Sequence, residues 1–359
     1  MTGTPPSVHG PGVTPDVVCL GESMVAFLPT RPGPLARVPA FDRAIGGAES
    51  NVACALAAAG HRARWVGRVG RDGFGDHLVE AIRAYGVDVS AVVRDPARPT
   101  GVYFRTATDR ADAGHEVAYY RAGSAASAMS PENVPYESVT AGRVLHLSGI
   151  TAALSDSCLA LTRELTAPRT GRPLVSFDVN FRPGLWAGRE KDGGRVLLEL
   201  ARGADIVFVG ADEARAVWGL KSTRAIADAV PGPQLLVVKL GSGGAIAFDR
   251  GPEARAGTAD ADGTATHVPA PRVHVVSSAG AGDAFAAGFL SATLRGLDVT
   301  ARLRHGHLMA AAALTTPGDV AAPPRRAHAD RLAALDDAAW GRLHLGPGWT
   351  GQDQEVRTP

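Results

Sequence analysis

No apolar run in this 359-residue chain approaches the roughly 18 residues that a membrane-spanning helix needs. Charge of one sign is not in excess either. The 37 Lys plus Arg balance 36 Asp plus Glu to a net +1, which leaves no electrostatic footprint for nucleic acid or an anionic membrane surface. The opening MTGTPPSVHGPGVTP has no basic segment followed by an apolar core, so it does not read as a signal peptide. Cysteine is scarce. Cys19, Cys54 and Cys158 stand far apart, each in an apolar context and none in a CxxC pair, which fits buried thiols in a reducing cytosol. Lysine is confined to Lys191, Lys221 and Lys239, and asparagine to Asn51, Asn133 and Asn180, so the setting of each carries information.

What remains is an ordinary globular composition, 45% hydrophobic and 20% charged, in a chain long enough for one large α/β domain or two smaller ones. Short runs rich in Val, Ile and Leu recur at Asp16–Leu20, Arg143–Leu147, Pro173–Phe177, Asp205–Val209 and Leu235–Leu240. Each has the length of a buried strand. Helical patterns ended by glycine lie between such runs, at Ala48–Gly60 and Phe74–Gly86. The alternation predicts a mainly parallel sheet covered on both faces, with ligands beyond the carboxyl ends of its strands. Residues 23–45 and 98–122 alternate in a different way and predict a small antiparallel flap beside the sheet. The two ends, 1–15 and 341–359, read as flexible tails around a domain spanning 16–340.

The most informative stretch is VVSSAGAGDAFAAGFL, residues 275–290. An apolar strand is expected to enter the small-residue turn Gly280-Ala281-Gly282, and a helix is expected to leave it and run to about Gly296. Such a turn lets main-chain N–H groups converge at a helix N-terminus, where a phosphate is well held. Asp283, next in line, opposes phosphate by its charge. It makes better sense as a base that takes a proton from an attacking hydroxyl.

Four further stretches carry chemistry. Gly46-Gly47-Ala48-Glu49-Ser50-Asn51 opens a helix with a diglycine that admits a ligand closely, and Asn51 donates and accepts as sugar hydroxyls require. Asp178, Asn180 and Arg182 alternate at a strand end. Lys239 ends a strand that enters the Gly241-Ser242-Gly243-Gly244 turn, suited to a hairpin or to the edge of a nucleotide. In YYRAGSAAS, residues 119–127, Arg121 ends a strand and could present a guanidinium to a carboxylate.

In this order the stretches resemble the ribokinase-like PfkB family of sugar kinases over roughly residues 16–325. The signatures are GGAESNVA and AGAGDAF. VGRVGRDGFG, YYRAGSAAS, FDVNFRPGLW and VFVGADEARAVWG are most similar to the 2-keto-3-deoxygluconate kinases, and YYRAGSAAS favours an acidic sugar. The resemblance implies a ribokinase-like α/β fold with a β-sheet lid, ATP and Mg2+ as cofactors, a cytoplasmic location and a homodimer through the lid. It implies Asp283 as general base and Gly280, Ala281 and Gly282 as an anion hole. Gly46, Gly47 and Asn51 match sugar-hydroxyl positions, and Tyr103, Tyr119, Arg121 and Arg182 match positions that hold the substrate. Asn180, Lys239, Gly241 and Gly243, with Gly280 and Gly282, match the nucleotide side.

Three departures stand out. Ser277-Ser278-Ala279 replaces the usual Asp-Thr-Thr before the turn, and the acid so lost often serves a potassium loop. Gly210-Ala211-Asp212-Glu213 keeps only Glu213 of the family's Asn-x-x-Glu magnesium motif. His305 and His307 stand near the place of an adenine-edge asparagine and read as surface histidines of a helix. The alternatives on the same residues are a fructokinase or other neutral-sugar kinase, and a sugar-binding regulator that has lost phosphoryl transfer.

Overall fold

The structure, a computed structural model, describes residues 14–106, 116–188, 190–251 and 263–351. Its strands are β1 (Val17–Leu20), β2 (Met24–Pro29), β3 (Phe41–Gly46), β4 (Ala63–Val66), β5 (Arg68–Gly70), β6 (Val93–Asp95), β7 (Val102–Arg105), β8 (Val117–Tyr120), β9 (Val144–Ser148), β10 (Leu174–Asp178), β11 (Ile206–Gly210), β12 (Leu235–Lys239), β13 (Ala245–Asp249) and β14 (Thr264–Val268). Eight of them form one sheet in the order β14-β13-β12-β11-β10-β9-β1-β4. The six from β4 to β12 are parallel, and β13 and β14 turn back as an antiparallel edge. The five apolar runs read from the sequence become β1, β9, β10, β11 and β12, each within one residue of expectation.

Continuous apolar runs are what a sheet buried on both faces requires. Val17 and Cys19 of β1 face one apolar cluster with Trp65, Phe208 and Phe289. Val18 and Leu20, their neighbours in the chain, face the other with Leu145, Phe177 and Trp186. All three cysteines are buried and unpaired. The helices Ala48–Ala58 and Gly73–Ala84 stop just before Gly60 and Gly86, both in the left-handed region at φ 91° and 87°. Chain order reverses around β1, which has β4 on one side and β9 on the other. The crevice beyond the carboxyl ends of β1 and β9 is therefore the expected ligand site.

The flap is a separate four-stranded sheet in the order β3-β2-β7-β8. It is not antiparallel throughout, because β2 and β7 run parallel. The long connection through the β4 and Gly73–Ala84 region brings the chain back to the flap in the same direction. Part of the predicted flap, 107–115, lies outside the described residues, as do 1–13 and 352–359 of the predicted tails. The chain from 341 to 351 does not behave as a tail. His344–Leu345 pairs with Arg272–Val273, and Leu343, Leu345 and Trp349 are buried. Apolar side chains this sparse in a Gly-rich segment gave no periodic signal. The expected strand at 275–276 is also absent. The paired strand stops at Val273, and Val275 and Val276 are exposed. Their N–H groups do not face a ladder, and that of Val276 donates to Leu314 O at 2.7 Å.

The helix Ala281–Leu294 packs closely on Val299–Leu314 because Gly288 removes a side chain from the contact. A Cβ at 288 would collide with His305 O. His305 and His307 are thus core residues and not surface ones. His307 Nε2 lies 3.1 Å from Val268 O and its ring edges onto Phe285, while His305 sits 3.3 Å from Asp330. We expect Gly288→Ala to push the two helices apart and to cost about 1–3 kcal/mol. The urea midpoint reads this, and an unchanged midpoint at constant slope would show that the close approach is not required.

Candidate active site

Asp283 occupies the first turn of the helix Ala281–Leu294. Gly280 precedes it at φ 70°, a conformation that favours glycine, and a Cβ there would also collide with Asp319 O. The first helical bond runs from Ala284 N–H to Gly280 O at 2.8 Å, so the N–H groups of Gly280, Ala281 and Gly282 lie ahead of it, where helices bind anions. Lys239 reaches this turn from the end of β12. Its amine lies 3.5 Å from where a Cβ of Gly282 would stand. It donates to Asp178 Oδ2 at 2.8 Å. Burial works against the Lys239 charge, but Asp178 and Glu213 outweigh it and hold the ammonium above its usual pKa.

Asn51, one turn into Ala48–Ala58, donates from Nδ2 to Asp283 Oδ2 at 2.8 Å. Burial pushes the Asp283 carboxyl up to about 7. The Asn51 hydrogen bond and the charges of Arg182 and Lys239 restrain the rise, and Asp178 adds to it. A base poised near neutrality suits proton abstraction from an alcohol.

A cleft of about 500 Å³ opens in front of Asp283. Its walls include Gly46, Gly47, Asn51, Tyr103, Tyr119, Arg121, Asn180, Arg182 and Gly280, so all seven predicted substrate residues meet Asp283 in one space. Gly46 is required there, since a Cβ would collide with the Tyr103 hydroxyl. Ala281, Gly282, Lys239, Gly241 and Gly243 do not line this cleft. Gly282 and Lys239 meet at the N-terminal turn of the helix Ala281–Leu294, and Gly241–Gly243 form a tight turn joining β12 to β13. The alternation expected for Asp178, Asn180 and Arg182 ends at Asp178, the last residue of β10. Asn180 then takes φ 41° and donates its N–H to Asp178 Oδ1 at 3.3 Å, a turn that still brings Asn180 and Arg182 to the cleft.

Each cleft arginine has a carboxylate partner. Arg121 pairs with the buried Glu22, which also accepts from Ser124 Oγ at 2.8 Å. Arg105 pairs with Asp319 at 2.9 Å. Arg182 lies 3.6 Å from Glu213, the loosest of the three pairs. Glu22, Ser124, Arg105 and Asp319 were not picked out by sequence reasoning. Glu22 had a signal, a carboxylate two residues past the apolar β1. Arg105 had one too, since it shares a strand face with Tyr103. Asp319, in an irregular loop, had none.

Glu213 spends Oε2 on the Gly210 N–H at 2.8 Å, capping its own helix Ala211–Trp218. Among the described residues no group of three or more His, Cys, Asp or Glu is placed to hold a metal by itself. Magnesium usually takes only one or two carboxylates, with waters and phosphate oxygens completing its shell. Asp178 and Glu213, both close enough to act on Lys239, fit that donor chemistry.

The pattern of the pfkB family carbohydrate kinases matches residues 14–326. The chain is 34% identical over 324 residues to the 2-dehydro-3-deoxygluconokinase of Bacillus subtilis, covering 89% of this chain and 95% of that one. It is also 34% identical over 280 residues to Fructokinase-1 of Oryza sativa, covering 76% and 81%. Among solved structures it resembles a PfkB protein from Polaromonas, with a TM-score of 0.75 and 34% identity over 88% of this chain and 99% of that one. It resembles as well an uncharacterised sugar kinase of Pyrococcus horikoshii in complex with ATP, with a TM-score of 0.74 and 26% identity over 90% and 98%. With a family pattern over residues 14–326 and 34% identity to a curated relative over most of both chains, the chain belongs to the pfkB family of carbohydrate kinases.

Proposed function

We propose that this kinase transfers the γ-phosphoryl group of ATP to the terminal hydroxyl of 2-keto-3-deoxygluconate, giving the 6-phosphate. The observation that carries this reading is the presence of Arg121 and Arg182 in the cleft that holds Asp283. A guanidinium has five N–H donors, so Arg121 can keep Glu22 and still offer an edge to a sugar carboxylate. The identity to 2-dehydro-3-deoxygluconokinase over nearly the whole length supports the same substrate class.

The chemistry follows from the geometry. Asp283 takes the proton of the attacking hydroxyl, and Asn51 holds the carboxylate in place for it. The turn amides and Lys239 face the charge that gathers on the transferring group. Asp178 and Glu213 are the residues that would hold a magnesium ion, which would supply positive charge to offset that of the phosphates. The lid sheet keeps water away from the reacting groups, with Tyr103 and Tyr119 over the sugar. Ser277 accepts the Ala279 N–H at 3.3 Å in the place where the family resemblance expects an acid, which leaves a monovalent-cation site without that carboxylate. Tyr119 and Tyr120 are 52% and 65% exposed on the edge strand of the lid, and a second copy of the chain across the lid would cover them. An intracellular, cytoplasmic setting follows from the ATP requirement.

A second reading, a neutral-sugar kinase, is favoured by the identity to Fructokinase-1. Arg121 separates the two. A charge-assisted hydrogen bond contributes roughly 1.5–3 kcal/mol, so Arg121→Ala should raise KM for the sugar acid about 10–150-fold while turnover of fructose barely changes. Equal losses on both sugars would remove the carboxylate role.

Asp283→Asn should lower kcat at least ~100-fold with ATP binding nearly intact, and near-normal turnover would refute the base. The raised pKa gives a sign as well. A base must be ionised, so activity should be present above the Asp283 value and fade as pH falls through it. We expect kcat/KM for the sugar to show an ascending limb centred near pH 7. A profile flat from pH 5 to 8 would contradict the buried base.

A further inference from the structure

Three successive residues at the start of the helix Ala48–Ala58 face three different ways. Asn51 reaches Asp283 at 2.8 Å. Ser50 turns to the connection between β1 and β2, where its Oγ lies 3.0 Å from Ser23 Oγ. Glu49 stands two residues before Asn51, so about 200° around the helix, and enters the core. It is fully buried there and does not line the cleft. Its Oε1 accepts the hydroxyls of Ser148 at 2.8 Å and of Thr151 at 2.7 Å. Ser148 ends β9 and caps the short helix Gly149–Ala153, on which Thr151 lies. The rest of the carboxyl packs on Gly21, the residue after β1, so closely that a Cβ at 21 would collide with it. One side chain thus joins the helix to the ends of β1 and β9, where chain order in the sheet reverses. Its Oε2 has no hydrogen-bond partner among the described residues.

We infer that Glu49 is a positioning residue: it fixes the start of this helix on the carboxyl ends of β1 and β9, and so sets where Asn51 meets Asp283. The two Glu49 oxygens meet two hydroxyls and no cation. A charge so placed in the core is strongly disfavoured. Burial accordingly raises the Glu49 pKa, the Thr151 and Ser148 hydroxyls oppose the rise, and the charge of Glu22 adds to it. Glu49 therefore works as a neutral acid that accepts at Oε1 and carries its proton on Oε2. A glutamine offers the same acceptor without a charge, which makes the amide the diagnostic substitution. The chemical consequence runs through Asn51, whose hydrogen bond restrains the rise of the Asp283 pKa. Once the helix start drifts, that bond weakens. Arg182 and Lys239 are then left alone to favour the ionised base against burial and Asp178. Loosening Glu49 thus has a signature of its own, an ascending limb moved to higher pH.

The inference rests on Asp283 being the base and is independent of which sugar is bound. The test compares Glu49→Gln, Glu49→Ala, Asn51→Ala and the pair of alanine changes in the purified enzyme with its best sugar. It reads kcat, KM, the pH profile of kcat/KM and the melting temperature. Glu49→Ala should lower kcat roughly 10–100-fold with KM for ATP within about twofold. It should also move the ascending limb to higher pH, as Asn51→Ala does. The pair should be little worse than Asn51→Ala alone, because both changes remove one link. Glu49→Gln still accepts both hydroxyls and should keep kcat within about fivefold of the wild type, with its limb in place. Should Glu49→Ala fail to fold, Thr151→Val removes one of the two hydroxyls outside the cleft and should move the limb the same way by less. A limb that stays in place in the folded variant would overturn the inference, since a merely structural role lowers activity without moving it. So would losses that multiply in the pair, or a Glu49→Gln variant that melts like the wild type yet turns over no better than Glu49→Ala. A flat profile in the wild type refutes the base and takes this inference with it, whereas a wild-type limb that these variants leave unmoved overturns the inference alone.

Discussion

A carboxylate kept out of water at the start of a helix is the constraint around which the cleft is arranged. Burial alone would favour the protonated form of Asp283. Asn51, Arg182 and Lys239 each favour its ionised form, and Asp178 opposes them. These groups come from four different places: the helix after β3, the turn after β10, the end of β12 and the end of β10 itself. Only a sheet whose parallel strands all end on one edge brings them together. The apolar runs that build the sheet therefore have a chemical consequence. They fix the ionisation of a side chain that belongs to none of them.

The second constraint is electrical balance. Arg105, Arg121 and Arg182 line one cleft, and each is matched by a carboxylate from the core. Arg105 and Arg121 are largely out of water, and unpaired their guanidinium groups would carry a large desolvation cost. Paired, they are held rigid, with N–H donors to spare. The cleft is therefore not a bare positive patch: its guanidinium groups sit in pairs that already exist, and the loosest is at Arg182. Preorganisation of this kind favours orientation over raw attraction.

The sequence displayed the sheet clearly, because strands buried on both faces leave unbroken apolar runs. The Gly280–Asp283 turn and the Gly46–Asn51 helix start were legible for a local reason: small residues beside one polar group mark a close approach to a ligand. Partnerships were not legible. Nothing in the chain places Glu22 against Arg121, roughly a hundred residues on, or Asp319 against Tyr103. The strand expected at 275–276 failed because two valines in a row carry strand propensity but no ladder reached them. The buried state of His305 and His307 was not legible because the helix is apolar or small on most sides and gives little contrast between its faces. The segment 341–351 reads as a tail because its three buried apolar residues, in a Gly-rich stretch, make no period.

The lid and the main sheet share no strand, but Val25 of β2 and Ile45 of β3 are buried in the same apolar cluster as Val17 and Trp65, and a few polar links add direction to that contact. Arg121 and Ser124 reach Glu22 on one flank of the cleft, and Tyr103 and Arg105 reach Asp319 on the other. In both links the acid belongs to the core and the donors to the lid or its hinge. Hydrophobic contact between lid and core would slide, since apolar surfaces set no register. Ion pairs and hydrogen bonds that are half-buried do set one, because a shift of an ångström breaks them in a place where water cannot fully replace them. The height of the lid over the cleft is thus tied to two carboxylates, Glu22 and Asp319. The main-chain oxygen of Asp319 also stands where a Cβ of Gly280 would be, so the lid and the turn before Asp283 meet at one residue.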